Sequence, residues 1–323
     1  ASNVFESNNA IVLCPQNAGD TNSWWSASGV RSFLNDAVLR YRVDRRRIYL
    51  TGYSAGCAAV HDFMNQDAAP DDAAAIFICA WRPGNSNANP SWLGRVVPFW
   101  IFTADGDLGS SAQACVNDMA AGIMGTGLAY NCAANRPSST TTQTARFSPA
   151  SGTWTWTTAV DSTEGVNPKL TLFPGSTHAD GWNKAYADSA LWTWLFKQQK
   201  PDVVLASPAA ANVSIAVGDI LQLDGSAKDK DGRAIAEACL SWTERVNNVP
   251  TVLATGGSAD FSTQEPGIRI IQLRAVDSAF RGNHADVTIT VQNVLPFTAR
   301  FNFQPSSVTL PGGNSPITIS SFA

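Results

Sequence analysis

The strongest chemical signal in the sequence is a G-x-S-x-G motif, formed by Gly52, Tyr53, Ser54, Ala55 and Gly56. An apolar run, 47–51, precedes the motif, and a helical pattern begins at Ala55. A sharp turn between a strand and a helix would hold Ser54 in a strained conformation above a sheet, where it can act as a nucleophile. The backbone N–H of Ala55, at the positive end of that helix, is placed to stabilise an oxyanion. In this context the motif predicts nucleophilic catalysis by Ser54.

A serine nucleophile needs a base, and the sequence contains three histidines, His61, His178 and His284. His61 lies about two turns along the helix that follows Ser54, so it points away from the nucleophile and is expected to cap a helix. His284 belongs to the β-rich C-terminal part and is expected to be exposed. His178 follows the apolar run 169–173, where a parallel sheet delivers residues to its carboxyl edge. We therefore predict that His178 is the base.

The acid of such a site falls between the serine and the histidine in the chain. The apolar run 96–102 ends in a T-A-D-G-D loop that presents two carboxylates at the same predicted edge. Asp107 is the predicted acid, because a carboxylate there would fix the tautomer of His178 and stabilise its imidazolium. The alternatives are Asp105, which either caps the turn or exchanges roles with Asp107, and the more distant Asp161 and Asp180.

Short apolar runs alternate with longer helical patterns up to about residue 200, which is typical of a parallel sheet wrapped by helices. The predicted strands are 10–14, 47–51, 75–80, 96–102 and 169–173, and the predicted helices are 28–41, 55–65, 110–124 and 184–199. The long segment 127–166 is rich in Thr, Ser, Asn and Trp and is predicted to cross the sheet edge. Within it, Trp154 and Trp156 are expected to form an exposed platform for a polymer or sugar.

After Pro201 the sequence changes to short runs of Val, Ile, Leu and Thr separated by turn residues. These predicted strands are 203–206, 213–217, 220–223, 239–244, 268–276 and 285–291, spaced as in a small antiparallel sandwich. We therefore predict an α/β domain at 1–200, a β-sandwich at 201–294, and a tail or the start of a truncated β module at 295–323.

Composition limits the possible partners. The net charge is -4 and only 15% of the residues are charged, which disfavours binding to nucleic acid or to anionic membranes. No apolar run approaches the roughly 18–20 residues that a membrane-spanning helix needs. Low charge, 11 Trp and many neutral polar residues predict a secreted or cell-surface protein of bacterial type.

The six cysteines are too few for a disulfide scaffold and include no C-x-x-C metal pair. Cys14, Cys57 and Cys79 lie in or beside apolar runs and are predicted to be small buried hydrophobic residues. Cys115 and Cys132 either close a short loop as a disulfide or remain free thiols.

Several stretches resemble a known family. The segment 10–60 contains I-V-L-C-P-Q, S-W-W and Y-R-V-D-R-R-R-I-Y-L-T-G-Y-S-A-G, and later stretches read P-F-W-I-F-T-A-D-G-D and F-P-G-S-T-H-A-D-G-W-N-K-A-Y. Over about residues 10–198 the chain resembles the polyhydroxybutyrate depolymerase and feruloyl or acetylxylan esterase group of α/β-hydrolases. The resemblance implies a doubly wound, mostly parallel sheet. It also implies a secreted esterase that uses Ser54, Asp107 and His178 through an acyl-enzyme, without a cofactor.

Two features depart from that group. The acid loop has Thr103 and Ala104 where the group usually has His-Gly. The group also has a strand ending in His-Gly before the segment that matches 10–16, and its loop gives a second oxyanion donor. That strand is absent, so we expect that the N-terminal strands are missing from the sequence, the alternative being that another backbone group substitutes. Loss of one donor costs roughly 3–4 kcal/mol of transition-state stabilisation, so the chain as given is expected to be weakly active or inactive.

Aromatic residues near the predicted catalytic residues are candidates for substrate binding. Tyr53 adjoins the nucleophile, Trp24 and Trp25 follow the first predicted strand, and Trp182 is close to His178. The three tryptophans either line an acyl or aromatic binding cleft or pack against helices.

The C-terminal β-rich part resembles polycystic-kidney-disease-type (PKD) or cadherin-like immunoglobulin-fold modules, through L-Q-L-D-G-S-A-K-D-K-D-G-R and S-W-T-E. Asp224, Asp229 and Asp231 have the spacing of possible Ca²⁺ ligands, but Asp-Lys-Asp-Gly is also an ordinary turn sequence. Such modules act as spacers or bind polysaccharide.

Taken together, the sequence predicts a secreted serine carboxylic-ester hydrolase that acts on acetyl or feruloyl esters of a polysaccharide or on a polyester. One rival is a serine peptidase of the same fold, which usually has a gating domain that this sequence lacks. The other is a non-catalytic carbohydrate-binding or adhesive protein that uses the hydrolase domain as a scaffold.

Overall fold

The computed structural model describes residues 2–16, 26–66, 73–80, 97–124, 130–164, 168–175, 177–246 and 249–293. The chain divides into two compact units, Ala1–Gln292 and Asn293–Ala323. The predicted boundary at residue 200 lies within the first unit. The predicted tail or β module at 295–323 lies outside the described residues.

In the part of the chain that the structure describes, the first sheet has six strands. They are β1 (Tyr49–Tyr53), β2 (Ala75–Cys79), β3 (Phe99–Ala104), β4 (Gln143–Ser148), β5 (Thr153–Thr157) and β6 (Lys169–Phe173). Their spatial order is β1-β2-β3-β6-β4-β5. Strands β1, β2, β3 and β6 are parallel, whereas β4 pairs antiparallel with both β6 and β5. The sheet is therefore mixed.

Helices pack on both faces of this sheet. They are α1 (Ser2–Ser7), α2 (Ala27–Arg40), α3 (Ala55–Gln66), α4 (Asp105–Met124), α5 (His178–Ala187) and α6 (Ser189–Lys197). Side chains alternate along β3, so Phe99 and Ile101 meet α3 and α4, while Trp100 and Phe102 meet α5 and α6. Within the described ranges, no helix is both long enough and apolar enough to cross a membrane.

The predicted fold class, an α/β-hydrolase with a doubly wound, mostly parallel sheet, is wrong. Strands β4 and β5 form an antiparallel edge of the first sheet. Of the described strands, six lie in this sheet, and the other two sheets have five and three strands. The predicted first strand at 10–14 is also wrong, because this segment has no regular secondary structure. Ile11 and Val12 are each 54% exposed. The prediction missed the β4–β5 hairpin because it interpreted 127–166 as an irregular excursion.

The expected exposed platform of Trp154 and Trp156 is also wrong. Both residues lie in β5, are partly buried and pack against the core between the sheet and α4. The indole N–H of Trp156 donates to the carbonyl of Cys132 at 2.6 Å. The alternation T-W-T-W-T is therefore a strand pattern, and Gly152, with φ of +65°, forms part of the turn that precedes it.

The predicted β-sandwich is confirmed. Its strands are β7 (Asp202–Ser207), β8 (Asn212–Ala216), β9 (Leu221–Lys228), β10 (Leu240–Val246), β11 (Val249–Thr255), β12 (Ser258–Phe261), β13 (Gly267–Val276) and β14 (Gly282–Gln292). They form a five-stranded sheet, β11-β10-β13-β14-β8, and a three-stranded sheet, β12-β9-β7. Trp242, Leu273 and Ile289 are fully buried between the sheets. Strands β11 and β12 were not predicted, and β8 pairs parallel with β14.

All six cysteines are free thiols in this structure, which has the second of the two states considered for Cys115 and Cys132. The Cys132 thiol instead lies 3.5 Å from the carbonyl of Gln113, to which it donates. Cys57 and Cys79 are buried as predicted, whereas Cys14 is exposed because its segment does not join the sheet.

Candidate active site

Three parallel strands each deliver one predicted catalytic residue to the same edge of the sheet. Ser54 directly follows β1, Asp107 lies in the first turn of α4 after β3, and His178 is the first residue of α5 after β6. Because the carboxyl ends of parallel strands share an edge, these residues converge although they are far apart in the chain.

The three side chains form a continuous hydrogen-bonded chain. His178 Nε2 lies 2.9 Å from Ser54 Oγ, and His178 Nδ1 lies 2.8 Å from Asp107 Oδ2. An ionised carboxylate only accepts hydrogen bonds, so Asp107 places the imidazole proton on Nδ1 and leaves Nε2 to accept from the Ser54 hydroxyl. The His178 side chain is 43% exposed and that of Asp107 is 19% exposed, so the site is open to solvent on the histidine side.

The turn that holds Ser54 is strained. Ser54 has φ of +48°, a left-handed conformation that is uncommon for a residue with a side chain. Its N–H donates to the carbonyl of Cys79 in β2 at 3.0 Å, which fixes the turn to the neighbouring strand. A Cβ at Gly52 would lie 2.7 Å from the Cys57 nitrogen and would also collide with the backbone carbonyl of Gly56. Glycine at position 52 therefore allows α3 to start directly against β1.

The Ala55 N–H is the candidate oxyanion donor. Ala55 is the first residue of α3 and is exposed. The first N–H groups of a helix have no acceptor within that helix, and the helix dipole gives this end a partial positive charge. An anionic oxygen that forms beside Ser54 can therefore accept a hydrogen bond from Ala55.

Asp105, the nearest alternative acid, has another partner. Its Oδ1 accepts from Arg136 Nη1 at 2.8 Å, and both side chains are mostly buried. Arg136 also donates to Gln143 in β4, so this ion pair links the start of α4 to the β4–β5 hairpin. Sequence reasoning did not identify Arg136, since no motif relates residues that are 31 positions apart.

The distant alternatives are also engaged elsewhere. Asp161 pairs with Arg146 at 3.0 Å and accepts from the Thr163 hydroxyl at 2.6 Å. Asp180 accepts a hydrogen bond from the Thr177 hydroxyl at 2.6 Å at the start of α5. This hydrogen bond is the main reason why the pKa of Asp180 lies below its usual value. Among the four candidates, Asp107 is the carboxylate that contacts His178.

The other two histidines lie in different surroundings from those expected. His61 is 4% exposed within α3, so it is a buried residue and not a helix cap. Burial lowers the pKa of His61, although Asp62 partly opposes this shift. His284 is partly buried in β14, and its Nε2 lies 3.6 Å from Asp286 Oδ1.

A backbone hydrogen bond connects the loops that carry Asp107 and His178, and a side-chain hydrogen bond ties the histidine loop to α5. The Gly106 N–H donates to the Gly175 carbonyl at 2.9 Å. Lys184 Nζ donates to the Pro174 carbonyl at 2.6 Å and lies 3.4 Å from Asp180. The sequence does not reveal the link between Gly106 and Gly175, since it depends on the adjacency of β3 and β6.

Two of the four aromatic candidates can be placed. The ring centroids of Tyr53 and Trp182 are 4.8 Å apart, and those of Trp182 and His178 are 5.0 Å apart. Trp24 and Trp25 lie outside the described residues.

The three aspartates considered for calcium have protein partners. Asp224 accepts from the Ser258 hydroxyl, Asp229 accepts from the N–H of Asp231, and Asp231 pairs with Lys230. The part of the chain that the structure describes contains no group of three or more His, Cys, Asp or Glu residues suited to a metal. Calcium binding in the sandwich remains a sequence prediction.

No protein family model matches the chain, and no curated protein matches it. Among solved structures, it is similar to the fibronectin(III)-like modules of Clostridium thermocellum CbhA, with 13% identity over 47% of this chain and a TM-score of 0.25. The chain spans 62% of the length of that structure. A second similar structure is the PKD domain of the human VPS10 domain-containing receptor SorCS2, with 14% identity, coverage of 31% of this chain and 76% of that chain, and a TM-score of 0.20.

A third similar structure is a nucleoside hydrolase-related hypothetical protein from Saccharophagus degradans that is associated with carbohydrate metabolism. It is 14% identical, covers 81% of this chain and 75% of its own length, and has a TM-score of 0.24. At these scores the similarities carry no functional argument.

Proposed function

We propose that this chain is a serine carboxylic-ester hydrolase that works through an acyl-enzyme. The observation that carries the proposal is the contact chain from Ser54 Oγ through His178 to Asp107, with distances of 2.9 and 2.8 Å. The positive φ of Ser54 and its position at the start of a helix add independent support, because both are features of an activated serine.

In the first half of the reaction, Ser54 Oγ attacks the ester carbonyl carbon while its proton passes to His178 Nε2. The Ala55 N–H donates to the resulting oxyanion, and Asp107 stabilises the imidazolium. When the bond to the alcohol oxygen breaks, His178 returns the proton to that oxygen, and the alcohol leaves an acyl group on Ser54.

In the second half, water replaces the alcohol. His178 takes a proton from the water as its oxygen attacks the acyl carbon, and then gives that proton to Ser54 Oγ as the carboxylic acid leaves. The hydrogen bond from Gly106 in the acid loop to Gly175 in the histidine loop supports this role, because together with the Asp107 contact it holds His178 in one orientation through both halves.

We further propose that the protein is secreted and that its substrate is an acyl ester of a polysaccharide or a polyester. The sequence resemblance to depolymerases and to feruloyl and acetylxylan esterases supports this choice. The solvent-exposed His178 agrees with a substrate too large to enter a closed cavity. In this proposal the β-sandwich serves as a spacer or as a second binding module.

Covalent labelling tests the proposal without knowledge of the natural substrate. A fluorophosphonate should modify the protein once, at Ser54. Because Ala55 is the one oxyanion donor identified among the described residues, the wild-type chain should hydrolyse short p-nitrophenyl esters slowly but measurably. Ser54→Ala should abolish both reactions. Absence of labelling and turnover in the folded wild-type protein would refute the enzyme, and retention on polysaccharide under those conditions would indicate a binding protein instead.

The acid loop provides a matched pair of variants. Asp107→Asn should lower kcat by about 10³–10⁴-fold, because an amide does not hold the same histidine tautomer. Asp105→Asn changes a carboxylate two residues away that pairs with Arg136, so its kcat should change by much less. If Asp105→Asn had the larger effect, the assignment of the acid would be wrong.

A further inference from the structure

An aromatic pair lies directly beside the catalytic residues, in which Tyr53 is exposed and Trp182 is partly buried against the core. Tyr53 is 52% exposed, and its ring lies 4.8 Å from that of Trp182, with an angle of 31° between the ring planes. We call this pair the Tyr53–Trp182 shelf. Because the exposed ring of Tyr53 directly precedes Ser54, a ligand at the catalytic residues can reach it.

The fold holds the shelf in place. Tyr53 ends β1, and Trp182 lies in α5, one turn after His178. Two residues before Tyr53, Thr51 shares a 2.7 Å hydrogen bond with Tyr186 of α5, so a second contact joins the same strand and helix. A Cβ at Gly181 would lie 3.2 Å from the Cα of Thr103, which shows how closely α5 packs against the sheet. The rings are therefore preorganised for a ligand.

The position of the shelf indicates which half of an ester it faces. Trp182 meets the His178 ring edge-on, with 5.0 Å between centroids and an angle of 87°. In the proposed reaction, His178 Nε2 gives its proton to the leaving alcohol oxygen, so the alcohol must lie beside the histidine. The carbonyl oxygen points instead towards Ala55, at the start of α3. The shelf is thus adjacent to the alcohol side of the ester.

The chemistry of the shelf also restricts its ligand. Both rings are neutral, and the nearest charged side chains of α5, Asp180 and Lys184, lie 3.4 Å apart as an ion pair. Neutral aromatic faces stack on rigid ring faces, either an aromatic ring or the apolar C–H face of a sugar. A flexible aliphatic chain loses more conformational entropy when it is held against the same surface.

We infer that the Tyr53–Trp182 shelf binds the leaving alcohol and selects esters whose alcohol carries a rigid ring with an apolar face, such as a pyranose sugar or an aromatic ring, over aliphatic polyesters. This inference rests on the proposed function. It makes the alcohol a determinant of specificity, so acyl esters of carbohydrate or aryl alcohols are the expected substrate class.

The test compares acetyl esters that differ only in the alcohol. The substrates are ethyl acetate as reference, benzyl acetate for aryl alcohols, and a monoacetylated methyl xyloside for sugars. Tyr53→Ala should lower kcat/KM by about 3- to 10-fold for at least one ring-bearing ester and hardly change it for ethyl acetate, since it removes one aromatic face. The arm that responds identifies the type of ring.

A second readout separates substrate binding from support of the histidine. The acetyl-enzyme is the same whichever alcohol has left, so its hydrolysis rate, measured after the p-nitrophenol burst from p-nitrophenyl acetate, should be unchanged in Tyr53→Ala. Trp182→Ala should show the same selective loss, and Trp182→Phe should recover much of it. Tyr41→Ala, at an exposed tyrosine after α2, should leave the selectivity unchanged.

Two results have distinct meanings. The first is a variant that loses kcat/KM equally for all three alcohols, or hydrolyses the acetyl-enzyme more slowly, while fluorophosphonate still labels Ser54. Either change would overturn the role of the shelf and leave the esterase proposal intact. Absence of Ser54 labelling in the wild-type protein would overturn the proposed function itself.

Discussion

The two glycines that flank Ser54 should respond in opposite ways to the same substitution. A Cβ at Gly52 would lie 2.7 Å from the Cys57 nitrogen and would collide with the Gly56 carbonyl. Both obstacles are backbone atoms of α3, which cannot rotate away as a side chain can. A Cβ at Gly56 would have no heavy atom within 4 Å beyond its own neighbours. Gly52→Ala should therefore be destabilising and Gly56→Ala should not.

The magnitudes follow from these contacts. Overpacking costs roughly 1–3 kcal/mol, and Gly52→Ala should reach at least the upper part of that range because β1 and α3 must separate. Gly56→Ala lies in the first turn of α3 and should stabilise the protein by about 0.5–1 kcal/mol, because alanine loses less backbone entropy than glycine in a helix. The two variants should thus differ by roughly 2–4 kcal/mol in the free energy of unfolding.

Chemical denaturation monitored by tryptophan fluorescence would measure this difference, with fluorophosphonate labelling of Ser54 as a second readout. Gly52→Ala should also label more slowly than wild type, because separation of β1 from α3 moves Ser54 away from His178. If Gly52→Ala were as stable as wild type, or if Gly56→Ala were the more damaging change, the described contact between β1 and α3 would be incorrect.

Three further predictions concern regions outside the catalytic residues. Lys169 is fully buried and its pKa is lowered to about 7, so the unfolded chain binds more protons above that pH. Between pH 7 and 8.5, the free energy of unfolding should therefore rise by roughly 1.5 kcal/mol more in wild type than in Lys169→Met. Urea unfolding curves that gave the same pH dependence for both proteins would contradict this. Arg136→Ala should destabilise the protein by about 1–3 kcal/mol, because it removes the mostly buried ion pair with Asp105. Arg40→Ala is the control: it breaks the exposed ion pair with Asp36 and should hardly change the melting temperature. A thiol reagent should modify Cys14 and Cys239 in the native protein and the four buried cysteines only after unfolding, and mapping by mass spectrometry would reveal any other order.

The elements around the candidate site could be predicted from the sequence because their signals are local. Strands β2 and β6 match the predicted runs to within one residue, whereas β1 and β3 begin and end two to three residues later than predicted. Helices α2 and α3 differ from prediction by at most one residue at each end. The G-x-S-x-G motif fixes the order strand, turn and helix within a few residues. The strands after β3 and β6 then limit where an acid and a base can lie.

The edges of the first sheet could not be predicted in the same way. A continuous apolar run marks a strand covered on both faces, but the run at 10–14 is exposed, and β5 alternates because it lies at an edge. Pairing of β4 with β6 brings together residues such as Thr144 and Thr171, which share a buried 2.8 Å hydrogen bond, and no local pattern encodes that contact.

The predicted fold class is wrong, yet the three predicted catalytic residues lie together. Both results arise because the catalytic residues lie on the parallel part of the first sheet, while the unexpected antiparallel strands lie at its edge. Ser54, Asp107 and His178 depend on three parallel strands and on the starts of three helices, whereas the antiparallel strands join the sheet beyond β6. An ion pair between Asp105 and Arg136 connects these two regions at the acid loop. Through Gln143 and Arg136 the hairpin helps to fix the start of α4. It therefore affects the position of Asp107 in the backbone, while none of its side chains takes part in the proposed reaction.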